Sequence, residues 1–148
     1  MKQNIVLFIL LIFGANLFSQ QWETDFGKAK ELAATEDKPI ILVFQGSDWC
    51  APCIKEMPEL NRLQSKYQDQ GLIVIALSDE DKERLIKFAN KNPFIVTTAY
   101  SNEFNWADIQ SERPMTFLIN REGVIVDYFT GGYDFDFFES KIINHLDQ

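Results

Sequence analysis

The chain has 148 residues, with 22 acidic and 14 basic side chains and a formal charge of −8. That balance leaves no basic patch to offset phosphate charge, which argues against nucleic acid as a partner. Only two cysteines are present, separated by two residues, which excludes a framework of long disulfide-closed loops.

Met1 and Lys2 give a short positive start, followed by an apolar run from Ile5 to Phe13 and then by Gly14-Ala15-Asn16 and Leu17-Phe18-Ser19. This order reads as a secretory signal peptide over residues 1–19, with cleavage expected after Ser19. A retained membrane anchor is the alternative, although the run stops short of the roughly 20 apolar residues a spanning helix needs. Removing 19 of the 148 residues leaves 129, with thirteen bases against 22 acids and a formal charge of −9. Residues 20–148 contain no repeat, low-complexity tract or linker and suffice for one domain with one core.

Thr24 to Asp37 has helical spacing, with Phe26, Ala29, Leu32 and Ala33 on one face, and Pro39 ends it. Ile40 to Phe44 is a continuous apolar run rich in β-branched residues, as in a strand buried on both faces. Gly46-Ser47-Asp48 makes a turn, and a helix begins near Cys50. It carries Ile54, Met57, Leu60, Leu63 and Tyr67 at helical spacing, is expected to kink at Pro58, and stops at Gly71. Leu72 to Leu77 is a second buried strand. Ser78 is expected to cap the next helix, with Asp79, Glu80 and Asp81 in its first turn. Leu85, Ile86, Phe88 and Ala89 supply its apolar side, and Asn92-Pro93 ends it. Phe94 to Tyr100 reads as a third strand, and Asn102 to Gln110 as an ambiguous stretch. Met115 to Ile119 and Val124 to Phe129 form a hairpin across Asn120-Arg121-Glu122-Gly123. Gly131-Gly132 reads as a strand-ending turn, and a final helix from about Asp134 to Leu146 then turns Phe135, Phe138, Ile142 and Leu146 inward, with Phe137 left over as an exposed contact. The order implies an α/β fold, a central mixed β-sheet flanked by helices on both faces in three layers.

The chemistry concentrates in Trp49-Cys50-Ala51-Pro52-Cys53. A bridge between Cys50 and Cys53 closes almost no loop and adds little entropic stability, so redox chemistry explains the pair better. Cys50 opens a helix, where unpaired N–H groups and the helix dipole lower a thiol's pKa, and the thiolate is the attacking species in exchange. Cys50 is therefore expected to be the exposed nucleophile and Cys53, one turn further in and more covered, the resolving thiol, while Pro52 suits a helix start. Half a zinc site is the competing reading, but there is no second cysteine pair and His145 is the only histidine. The chain therefore lacks the ligands for a metal.

The run from Trp49 to Cys53 after a buried strand resembles the thioredoxin fold. Its continuation Cys53-Ile54-Lys55-Glu56-Met57-Pro58 resembles, more narrowly, the exported thiol–disulfide reductases of the TlpA/ResA type. A second anchor, Arg113-Pro114-Met115-Thr116-Phe117-Leu118-Ile119, is similar to that family's cis-proline loop, and the resemblance spans roughly Lys38 to the C-terminus. It implies a cis bond at Pro114 beside the dithiol and a substrate-binding surface that includes Arg113, Pro114 and Trp49. Thioredoxins carry a buried aspartate six residues before the first cysteine, where this chain has Phe44. The resemblance supplies Glu56 instead, as a carboxylate able to relay a proton to or from Cys53; if partly buried, its pKa should exceed that of a free glutamate. A second departure, Gln45-Gly46-Ser47-Asp48 where the family usually has an aromatic and small residues, bears on the docking surface. Asp48 reads as a turn residue whose charge opposes the dipole if it lies close to Cys50. His145, Trp22 and Trp106 read as structural or surface residues.

The reading that follows is an enzyme, a bacterial exported oxidoreductase that reduces disulfides of other extracytoplasmic, periplasmic proteins. It would act as a monomer, without a bound cofactor, re-reduced by a membrane electron donor. The alternatives are a thioredoxin-like Cu(I) metallochaperone, for which Met57 and Met115 are the only methionines near the dithiol, and an oxidase or isomerase on the same scaffold. Direction depends on the reduction potential.

Overall fold

The computed structural model describes residues 34–35, 38–101 and 112–146. The signal segment, the body of the expected Thr24–Asp37 helix, the stretch Asn102–Gln110, Trp22 and Trp106 lie outside the described residues.

Five strands form one sheet: β1 (Ile40–Phe44), β2 (Ile73–Ser78), β3 (Thr97–Tyr100), β4 (Met115–Ile119) and β5 (Ile125–Thr130), in the spatial order β3-β2-β1-β4-β5. β1 is central and wholly buried, as its unbroken run of branched and apolar residues requires. It pairs parallel with β2 and antiparallel with β4, while β2 pairs parallel with β3 and β4 antiparallel with β5. The sheet is therefore mixed, as expected from βαβ units followed by a hairpin.

Alternation along β1 divides the core. Ile41 and Val43 face a cluster with Met57, Leu60, Leu63, Phe135, Phe138 and Ile142. Ile40, Leu42 and Phe44 face a second cluster with Ile75, Leu77, Ala99 and Ile119. Over the first cluster lie α1 (Ala51–Tyr67) and α3 (Phe135–Leu146). They are tied together by Glu139, which accepts from Lys66 Nζ and Tyr67 Oη, each at 2.5 Å. α1 runs unbroken through Pro58. After a 3₁₀ turn at Gln68–Gln70, Gly71 takes the left-handed conformation (φ 93°) that a glycine adopts at least cost.

Four sequence expectations shift. β2 extends to Ser78, which pairs with Tyr100, so Ser78 does not cap the following helix. The cap of α2 (Lys82–Lys91) is Asp81, whose carboxylate accepts from the N–H groups of Glu83 and Arg84 at 3.0 and 3.1 Å; Asp79 and Glu80 are thereby left in the β2–α2 loop. Ile86 is exposed, because Leu85 and Ala89 are the buried positions of α2. The third strand begins at Thr97, and the preceding turn is held to α1 by Asn61 Oδ1, which accepts from the Ile95 and Val96 N–H groups. Phe137 is packed rather than left over: its ring stacks on Tyr133 at 3.9 Å and meets Phe129 edge-on at 4.9 Å. β5 is an edge strand with Ile125, Val126 and Tyr128 exposed. Among the described residues no helix is long and apolar enough to cross a membrane.

Candidate active site

The parallel strand β1 delivers the chain to the start of α1, at the edge of the sheet where α/β folds gather their functional groups. Gln45 continues the β1–β2 pairing by donating its N–H to the Leu77 carbonyl at 3.0 Å. Cys50 occupies the N-cap of α1, and its carbonyl accepts from Ile54 N–H at 3.0 Å. Its sulfur is bonded to that of Cys53, with a Cα–Cα separation of 5.2 Å. Cys53 Sγ also accepts from the Gly46 N–H, 3.4 Å away. Cys50 was expected to stand exposed, yet in this disulfide form it is only 3% accessible and Cys53 2%. The cause is local: a Cβ built on Gly46 would fall 2.9 Å from Cys50 Cβ, so the turn lies directly against the cysteine.

The Arg113–Pro114 bond is cis. Phe44 and Met115 are partners in the β1–β4 register, which sets buried Pro114 level with the turn leading into the dithiol. The Pro114 carbonyl accepts from Gly131 N–H at 2.9 Å, joining this loop to the end of β5. Gly132 follows, and a Cβ there would lie 3.1 Å from the Pro52 carbonyl oxygen. The Gly131-Gly132 pair, read from sequence as a strand-ending turn, thus also lets the chain pass close against the first turn of α1.

Glu56 lies one turn beyond Cys53 and is 2% accessible. Its Oε2 accepts from the Tyr133 N–H at 3.2 Å, and its buried Oε1 has no hydrogen bond. Burial pushes its pKa up to about 8, against the smaller lowering effect of the Tyr133 N–H. It borders a cavity of about 400 Å³ lined also by Pro52, Lys55, Glu59, Gly132, Tyr133 and Asp134. A carboxyl group with a pKa raised this far can act as a proton donor or acceptor near neutral pH.

Trp49 is 54% accessible beside the buried cysteines. Its indole N–H donates to Glu80 Oε1, and the Arg113 guanidinium lies 5.6 Å from its ring centroid. Arg113 is itself engaged by Asp79 at 2.7 Å. Asp48 faces Arg84 at 2.5 Å, and this hydrogen-bonded guanidinium holds its carboxyl below the usual aspartate range. Its charge, which the sequence set against the helix dipole, is therefore largely compensated. Sequence reasoning did not single out Glu80, Arg84 or Tyr133 as site residues, and Gly46 entered it only as part of the turn Gln45-Gly46-Ser47-Asp48. The acidic triplet Asp79-Glu80-Asp81 at the end of a buried parallel strand was the available signal. Among the described residues no group of three or more His, Cys, Asp or Glu could hold a metal ion.

A helix that opens on a disulfide of two near-neighbour cysteines, on a mixed sheet with a cis-proline loop at its side, is the architecture of the thioredoxin-like class. The AhpC/TSA family matches residues 14–128 of the chain. Thiol-disulfide oxidoreductase ResA of Halalkalibacterium halodurans is 33% identical over 109 residues, covering 72% of this chain and 61% of that protein. ResA of Geobacillus thermodenitrificans is 30% identical over 152 aligned positions, covering 88% of this chain and 86% of its own. A crystal structure from Chlorobium tepidum, described as a thiol:disulfide interchange protein DsbE, superimposes with a TM-score of 0.69 at 26% identity, over 78% of this chain and 84% of that one. The chain thus belongs to the AhpC/TSA family, and the relatives it resembles include thiol-disulfide oxidoreductases of the ResA kind. It spans about three fifths of the length of the first curated relatives it matches.

Proposed function

We propose that this protein is a thiol–disulfide oxidoreductase that reduces disulfides of other extracytoplasmic bacterial proteins. The observation that carries the reading is the Cys50–Cys53 disulfide at the N-terminus of α1, with Glu56 buried one turn further along. In the reduced form, the Cys50 thiolate attacks one sulfur of a substrate disulfide and the second substrate sulfur leaves as a thiolate. Cys53, deprotonated with the ionised fraction of Glu56 as proton acceptor, then attacks Cys50 Sγ, and the substrate's first sulfur leaves as a thiolate that takes up a proton. Two electrons pass to the substrate, and the Cys50–Cys53 disulfide is regenerated. The helix N-terminus favours thiolate at Cys50, while Cys53 is the deeper of the two in the helix. Trp49 and the cis-proline loop at Arg113-Pro114 offer the surface for the substrate chain, with the Arg113 guanidinium 5.6 Å from the indole ring centroid. Residues 1–19 serve as the export signal, and a membrane electron donor re-reduces the dithiol.

The test is a redox titration of the purified protein against dithiothreitol or glutathione buffers, paired with trapping variants. Cys53→Ser should accumulate mixed disulfides with client proteins and Cys50→Ser few. A potential far above that of the glutathione pool would make the protein an oxidase. Preferential trapping by Cys50→Ser would reverse the roles of the two cysteines.

A further inference from the structure

Glu80 lies 30 residues after Cys50 in the sequence, in the β2–α2 loop, and its side chain is 12% accessible. Its two oxygens divide between two donors of the loop that presents the dithiol. Oε2 accepts the Ser47 N–H at 2.7 Å, and Oε1 accepts the Trp49 indole N–H. Ser47 is itself buried, whereas more than half of Trp49 faces solvent. An exposed indole with no anchor would sample several rotamers, and each would have to be frozen when a partner docks. Here three contacts fix it: the carboxylate on its N–H, the Arg113 guanidinium 5.6 Å from its ring centroid, and Gly46 beneath it. A Cβ on Gly46 would fall 2.5 Å from Trp49 Cζ2, so only glycine leaves the ring its place.

The neighbouring charges belong to the same assembly. Arg84 bridges Asp48 at 2.5 Å and lies 3.9 Å from Glu80 Oε1, while Asp79 holds Arg113 at 2.7 Å. The β2–α2 loop and the start of α2 thus grip the dithiol loop and, through Arg113, the cis-proline loop.

We infer that Glu80 is a positioning residue that holds the Trp49 indole as a preformed docking platform for the polypeptide of the disulfide substrate. The inference rests on the proposed function and adds a division of labour. The dithiol reacts with any accessible disulfide, whereas the clamped indole acts only on substrates that carry a protein chain. Glu80→Gln tests this, because an amide can accept from one of the two donors but presents its own N–H₂ to the other.

With a reducible protein disulfide such as insulin, Glu80→Gln should raise KM roughly three- to tenfold. Turnover with glutathione disulfide should stay within about twofold, as should kcat on the protein substrate. In a Trp49→Phe background, which lacks the indole N–H, Glu80→Gln should add little further effect. The same variant should move the Trp49 indole N–H resonance, assigned by its loss in Trp49→Phe, and speed its solvent exchange. Equal slowing of both substrates would place Glu80 with the dithiol instead, and a full additional penalty in the Trp49→Phe background, or an unmoved indole resonance, would overturn the clamp. Failure of the wild-type protein to reduce insulin would instead count against the proposed function, while the resonance measurement still decides the clamp.

Discussion

Glu56 carries an ionisable group into a space where only one of its oxygens is hydrogen-bonded. Desolvation disfavours the charged form, and the folded protein holds the proton up to about pH 8, well above the ordinary glutamate value of 4.5. The linkage has a definite sign. Below the unfolded pKa the carboxyl is protonated in both states and contributes no pH dependence. Between the two values the unfolded chain has released the proton that the native state retains, so stability falls as pH rises. Above the folded value the full cost is present, on the order of a few kcal/mol. Glu56→Gln should therefore gain stability over the wild type progressively through that window and then hold a constant advantage. Urea unfolding of the oxidised proteins at pH values across the window checks this; a difference independent of pH would mean that the carboxyl is solvated.

At the scale of elements, the start of α1 depends on how closely the β5–α3 connection can pass it. Gly132→Ala places a methyl group 3.1 Å from the Pro52 carbonyl oxygen, a backbone atom that cannot swing aside. The expected cost is about 1–2 kcal/mol, with a slower Cys53-dependent step because the first turn of α1 shifts. A stability unchanged within error would show that the connection yields instead. Much of this layer was legible in the sequence. The apolar run Ile40–Phe44, the hairpin around Asn120–Gly123 and the inward face Phe135, Phe138, Ile142 and Leu146 follow from local periodicity, which needs no knowledge of neighbours. The cap of α2 was misplaced at Ser78 because Ser78 and Asp81 are both good caps, and the choice was made by the pairing of Ser78 with Tyr100 across the sheet. The grip of Glu80 on Ser47 and Trp49, and of Arg84 on Asp48, joins residues 31 to 36 positions apart. No local pattern encodes such contacts; they exist only once β1 and β2 lie side by side. Glu56 and Pro114 were legible for a different reason, the resemblance of their surrounding motifs to a known family.

For the molecule as a whole, the cluster on the α1 and α3 side of the sheet is the principal store of stability, and Phe138 is fully buried in it against Phe129 and Tyr133. Phe138→Ala should cost about 3–5 kcal/mol, read as a fall in the urea midpoint with an unchanged slope. A loss below about 1 kcal/mol would mean that the surrounding rings collapse into the space. The solitary oxygen of Glu56 has a consequence beyond stability, in how many protons accompany each pair of electrons. Reduction creates a thiol at Cys53, one turn before Glu56 on α1, and if the carboxyl and that thiol are coupled they compete for protons as a pair. A thiolate coupled to the carboxyl would raise its proton affinity, and the reduced protein would then hold a proton that the oxidised protein has begun to release above about pH 8. Every additional proton taken up with two electrons steepens the midpoint potential by about 30 mV per pH unit. Above that pH the potential of the wild type should fall more steeply than that of Glu56→Gln, and superimposable curves would mean that the glutamate and the dithiol titrate independently. A reductant built in this way grows stronger as its surroundings become alkaline, because the protein itself carries the extra hydrogen.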